Sequence, residues 1–109
     1  LDGEHEWLSQ GLPVSTRVGP RGDGVCTVWV AGEIDLATAP SLEAALAEAE
    51  AGGAARVEVD LDGVKFLGLA GVHVLVTARR RLEAAGAELA LVRAPPFPAR
   101  VLRLAGWDR

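Results

Sequence analysis

Asp35 and Asp60 each follow a strand-like run, near the strand ends where open α/β sheets place their ligands. A carboxylate pair there has the makings of a Mg2+ or phosphoryl-acceptor site. Such a site also needs an acidic pair early in the chain, and a hydroxyl and a lysine at later strand ends. Lys65 falls in the wrong element, and the last strand-like run ends Val92-Arg93-Ala94 with neither group. Asp35 and Asp60 therefore read as acceptors for loop N–H groups. His5 and His73 are far apart, and the single cysteine, Cys26, allows neither an internal disulfide nor a multi-cysteine metal site. Cys26 sits in an apolar run and reads as an inert buried thiol. No Ser-His-Asp or Cys-His arrangement can be assembled, and no glycine-rich loop precedes Lys-Ser or Lys-Thr. Neither enzymatic activity nor a cofactor or metal is expected.

The stretch Val57–Val76, VEVDLDGVKFLGLAGVHVLV, reads as a buried strand, a glycine-marked turn and the opening of a helix. Such a turn favours negative charge, because unpaired helix N–H groups point outward there. Yet no Ser, Thr or Tyr occurs between Ser41 and Thr77. This turn cannot carry a phosphate on a side-chain hydroxyl.

Around it the chain divides cleanly. Residues 1–12 are polar and aperiodic and read as a flexible lead-in, with a minor alternative in which Trp7 folds back onto the domain at 13–109. Val14–Val18 alternates weakly and fits an edge strand; the turn formers of Gly19–Gly24 make a hairpin-type link to the β-branched run Val25–Ala31. Thr38 suits an N-cap and Pro40 a first turn. The helix they open runs to about Ala51, with Leu42, Ala45, Leu46 and Ala49 as its apolar stripe and Gly52-Gly53 as its stop. Arg56–Leu61 alternates as a strand. A second helix starts near Ala70, places Val72, Leu75, Val76, Arg79 and Leu82 on one face, and is closed by Gly86. Ala87–Arg93 is another strand. After Pro95-Pro96, Phe97–Leu104 reads as a last helix with Val101, Leu102 and Ala105 inward. The order β-β-α-β-α-β-α implies crossovers and a mixed sheet of four to five strands.

Composition bounds the partners. Half the residues are apolar and 24% are charged, as in ordinary globular domains. The net charge of −4 gives nucleic acid no overall footing. Residues 1–62 carry three Arg against twelve acids, a balance of −9, whereas residues 79–109 carry seven Arg against three acids, a balance of +4. The run Arg79-Arg80-Arg81 splays its side chains about 100° apart on a helix, so it reads as a solvated helix end suited to the dipole rather than an acid-binding patch. No apolar run approaches the roughly 18 residues of a membrane span, and LDGEHEWLSQ lacks the pattern of a secretory signal. A cytoplasmic location without membrane insertion is expected. The first residue, Leu rather than Met, reads as a trimmed chain or a domain cut from something longer.

Two segments give the element order a family likeness. Gly32-Glu33-Ile34-Asp35-Leu36-Ala37-Thr38-Ala39 is close to G-E-[LI]-D-x-x-[TS]-A, and Val59-Asp60-Leu61-Asp62-Gly63-Val64-Lys65-Phe66-Leu67 to a strand and loop of the form D-L-S-x-[VL]-x-F-[ML]. In that wording and spacing, over about residues 14–106, the chain resembles the STAS family, typified by bacterial anti-sigma factor antagonists. The resemblance implies an α/β STAS fold, helices mainly on one face of the sheet, and a role in binding another protein.

The likeness breaks at one loop. The family commonly reads D-S-S-G-[LI]-G there, with a serine phosphorylated by the partner kinase; this chain has Gly68-Leu69-Ala70-Gly71-Val72-His73. The binding surface carries over, and the phospho-switch does not. The partner-binding residues expected are Gly68, Leu69, Ala70, Gly71 and His73, with Asp35 and Thr38 from the preceding loop. Leu69 reads as an exposed anchor or a core residue, and the resemblance favours the anchor. Gly71 serves either close approach by a partner or a positive-φ turn; His73 reads as surface histidine, partner contact or pH sensor. The implied partner is an anti-sigma factor of the ATP-binding kinase type, whose capture frees a sigma factor. The rival reading is a STAS subunit or excised domain of a transporter, such as a lipid-transporting ABC system, or of a larger signalling assembly. Oligomeric state is not legible.

Overall fold

Val14–Val18 (β1) runs antiparallel to Val25–Ile34 (β2), and β2 pairs in parallel with Arg56–Leu67 (β3), which pairs in parallel with Glu88–Val92 (β4). The result is a four-stranded mixed sheet in the order β1-β2-β3-β4. Helices Ala39–Ala51 (α1) and Leu69–Ala84 (α2) make the two crossovers, and Pro96–Leu104 (α3) follows β4. The element order is the one the sequence implies. The computed structural model describes residues 14–19 and 22–107; the expected lead-in at residues 1–12, with the fold-back of Trp7, lies outside the described residues.

The core lies between one face of the sheet and the helices. Val28 and Val30 of β2 and Val57, Val59 and Leu61 of β3 bury against Leu42 and Leu46 of α1, Leu75 and Leu82 of α2, and Leu102 of α3. Burying one such side chain fully contributes roughly 1.5–3 kcal/mol. The other face is polar and partly open: Arg17 lies over the Trp29 ring at 5.1 Å, and Arg56 pairs with Glu58 and Glu88. Hydrogen bonding to Glu58 holds the Arg56 guanidinium above its ordinary pKa.

The stripe of α1 is buried as expected, and Gly53 and Gly86 end their helices at positive φ. Other expectations shift. In α2 the inward face is Val72, Leu75, Ala78 and Leu82, with Val76 and Arg79 only half-buried. In α3, Pro98 and Leu102 are buried, whereas Ala105, expected inside, is exposed.

The largest correction concerns β3. It continues past Leu61 to Leu67 because two irregularities break the alternation that marks a strand in sequence. Trp29 faces Asp60, yet Ala31 faces Gly63 and Glu33 faces Phe66, so β3 absorbs an extra residue twice. Bulged strands bend and re-aim their side chains. Asp60 is thus buried in mid-strand rather than at a strand end. Its Oδ1 accepts the N–H of Asp62 at 2.9 Å, satisfying the bulge, and its Oδ2 accepts from Arg93 at 2.7 and 2.8 Å.

Candidate functional site

The C-terminal ends of β2 and β3 bring the expected residues to one rim of the sheet. The Gly68 N–H donates to the Ile34 carbonyl at 2.8 Å, tying the start of α2 to the segment that opens the Asp35–Thr38 loop. Gly68 is the N-cap of α2, with extended backbone (φ −92°, ψ 179°), and its carbonyl accepts the N–H groups of Gly71 and Val72 at 3.1 Å. The chain therefore turns into α2 without a side-chain cap and without positive φ.

The loop beside it is self-sufficient in hydrogen bonds. Asp35 Oδ1 accepts the N–H groups of Ala37 and Thr38 at 3.0 Å, as a loop-bracing aspartate should. Thr38 occupies the N-cap position of α1 but makes no capping bond. Its hydroxyl instead accepts from the Asp35 N–H at 2.9 Å and lies 2.8 Å from the Glu33 carbonyl, to which it donates. Thr38 is a brace for the loop, and the loop in turn holds Leu36 outward.

Side chains around this frame divide by depth. Leu69 is 80% exposed at the tip of α2, and Leu36 is 84% exposed on the adjoining loop. His73, four residues after Leu69 and so on the same side of the helix, is exposed as well. Gly68 and Ala70 are half-buried. Gly71 departs from both roles expected of it. It is buried, its φ is not positive, and a Cβ there would stand 2.6 Å from Leu67 Cδ1 and 2.7 Å from Ile34 Cγ2. Its smallness serves the close seating of α2 on the core, beneath the surface a partner would touch.

Sequence reasoning did not single out Leu36, Phe66 or Phe97. Phe66 is 42% exposed and stacks on Phe97, which is 48% exposed, with ring centroids 5.9 Å apart. Leu36 had a signal, since it lies inside the Gly32–Ala39 segment, ahead of the first helix, with no apolar stripe to join. Phe66 had none, because its outward turn depends on the bulges in β3.

The other candidate chemistries do not assemble. Asp60 is held by Arg93 and Asp62, in mid-strand and away from the Asp35 loop. Among the described residues no three His, Cys, Asp or Glu side chains are placed to hold a metal. Cys26 is buried. Arg81 is spent between helices, bonded to Glu50 at 2.8 and 3.0 Å and to Glu43 at 3.0 Å, and Arg79 packs over the Trp107 ring at 4.7 Å. The hydrogen bond to Glu50 raises the Arg81 pKa against the opposing effect of burial. Arg79 and Arg81 are thus engaged within the fold, a correction to the solvated helix end that the sequence suggested, and only Arg80 of the run is left as a simply exposed side chain. Among the described residues no helix is long and apolar enough to cross a membrane.

The rim offers two exposed apolar side chains, Leu36 and Leu69, with the His73 imidazole and the loop-bracing Asp35 carboxylate beside them. In comparison with known proteins, residues 20–109 match the family described as Mlab, STAS domain. The anti-sigma-F factor antagonist RsfB of Mycobacterium tuberculosis is 37% identical over 60 residues, 55% of this chain and 49% of that protein. The aligned part is thus about half the length of that curated relative. A crystal structure of an anti-sigma factor antagonist from Mycobacterium paratuberculosis superimposes with a TM-score of 0.79 at 35% identity, covering 87% of this chain and 80% of that one. The anti-sigma factor antagonist SpoIIAA in its unphosphorylated form shares the fold, with a TM-score of 0.74 at 19% identity over 85% of this chain and 82% of its own.

Proposed function

The chain belongs to the STAS domain family, and on that premise we propose that it is an anti-sigma factor antagonist acting by binding rather than catalysis. It captures an anti-sigma factor of the ATP-binding kinase type in the cytoplasm and so releases a sigma factor. The docking tip is formed by Leu69 and His73 of α2, with Gly68 and Ala70 shaping its base and the Asp35–Thr38 loop presenting Leu36. Gly71 supports the tip from below.

One observation carries this reading: Leu36 and Leu69 stand largely in water on the two segments that the bond from the Gly68 N–H to the Ile34 carbonyl ties together, in a chain whose fold resembles that of an anti-sigma factor antagonist. Covering a leucine completely is worth roughly 1.5–3 kcal/mol, so a partner surface gains most where these two side chains enter it. The absence of any hydroxyl at Gly68–His73 makes the contact constitutive. Phosphorylation would bring about −1.5 to −2 charges to such an interface, and residues 68–73 offer no hydroxyl to accept them. Thr38 is no substitute, because its hydroxyl is committed to the loop it braces.

The test is titration of purified anti-sigma factors of this type from the source organism. Wild-type chain should bind one of them, and Leu69→Asp should lose at least about a hundredfold in affinity, as a charge forced into an apolar contact does. Its thermal midpoint should stay at the wild-type value, since Leu69 is exposed. Equal binding by both proteins ends the proposal. Intact mass recorded before and after incubation with the anti-sigma factor and ATP should be unchanged. A phosphate mapped to residues 68–73, or to Thr38 or Thr77, defeats constitutive action.

A further inference from the structure

Five large apolar side chains stand in water among the described residues, and they are not scattered. Leu36 and Leu69 form the tip already described; Phe66, Phe97 and Leu104 continue from it. The link is physical. A Cβ on Gly68 would lie 3.2 Å from Phe66 Cε2, so the Phe66 ring rests against the residue that precedes Leu69. Phe66 in turn stacks on Phe97, at the first turn of α3. Phe97, Arg100 and Leu104 follow at spacings of three and four, which places them on one side of that helix. Leu104 is 81% exposed, and Arg100 is exposed with no ion-pair partner among the described residues. Pro98 and Leu102 point the opposite way, into the core. An apolar strip of this extent on a small protein marks an interaction surface.

We propose that the docking surface extends from the α2 tip, across the Phe66–Phe97 pair, and along the outer face of α3 to Leu104. This rests on the antagonist reading above and names what it adds: the occupant is that same anti-sigma factor, through an apolar patch that carries a carboxylate opposite Arg100. Continuity with the tip supplies the first part, and a guanidinium with no ion-pair partner among the described residues, set inside an apolar strip, supplies the second. Aromatic and arginine anchors dominate protein interfaces when they are desolvated at the centre of the contact.

The experiment titrates each anti-sigma factor of the ATP-binding kinase type from the source organism, purified singly, against wild type and four variants. Phe97→Ala and Leu104→Glu should each weaken binding about tenfold or more, while Leu69→Asp abolishes it. Arg100→Glu should weaken binding by at least about tenfold at low salt, with a smaller loss at high salt. Leu69, Arg100 and Leu104 are exposed, so circular dichroism and thermal midpoints of their variants should match wild type. Phe97→Ala gives up the stack on Phe66 and should melt a few degrees lower with its circular dichroism unchanged; Leu104→Glu decides the matter if Phe97→Ala is misfolded. If Phe97→Ala and Leu104→Glu bind like wild type while Leu69→Asp fails, the extension is wrong and the antagonist reading stands. If only Arg100→Glu is neutral, the carboxylate on the partner is wrong. If every variant binds like wild type, or wild type binds none of the factors, both proposals fall.

Discussion

Gly71 illustrates how one residue without a side chain sets the position of a site. Ile34 and Leu67 fill the space where its Cβ would go, and both are fully buried, so neither can move aside freely. Substituting Gly71→Ala should cost about 1–3 kcal/mol in overpacking, against a gain of at most about 1 kcal/mol in helix propensity. The net loss should lower the thermal midpoint by several degrees, at roughly 4–8 °C per kcal/mol for a domain of this size. An unchanged or higher midpoint in a melting curve would mean that the α2 start can shift outward at no cost. Asp60 is a second residue whose role is positional. Its two oxygens satisfy the bulge at Asp62 and hold Arg93, a non-glycine residue at φ 55° that ends β4. Loop-bracing was legible for Asp35 from its place after a strand-like run; for Asp60 the type of role was legible and the location was not.

Elements are fixed to each other here mostly by apolar faces, with charge as a minor addition. Arg81 of α2 reaches both Glu43 and Glu50 of α1, which lie seven residues apart and so share a side of that helix. Arg81 and Glu43 remain substantially exposed and Glu50 is half-buried, so the partly screened network should contribute about 1 kcal/mol or less. Urea titration of Arg81→Ala should show a loss within that bound at low salt, shrinking further in 1 M NaCl. A loss above about 2 kcal/mol would identify the clamp, rather than the Leu46 and Leu75 packing, as what seats α1 on α2. The helices were readable because their apolar residues recur at 3.6 and their stops are glycines. The second half of β3 was not, since a bulge changes which residue faces inward, and nothing in residues 61–67 announces the change.

At the scale of the molecule, the sheet is supported from one side among the described residues, and its two central strands should be the best protected. Amide exchange should be slowest at Val28 and Val59, which face each other across β2 and β3 with the helices above them. It should be faster at the edge strand β1 and in α3. Uniform protection across β1, β2 and α3 would contradict this picture. The amino-acid order by itself determined the element sequence, the helix stripes and ends, the loss of every hydroxyl from the α2 turn, and the family resemblance. Those properties are local, or written in spacing along one element. Only the tertiary structure decided that Leu36, Leu69, Phe66 and Phe97 share a rim, that Gly71 lies beneath it, and that Asp60 lies apart from Asp35. These outcomes depend on register between strands and on how closely a helix seats on its sheet, and both are settled by contacts between residues distant in sequence.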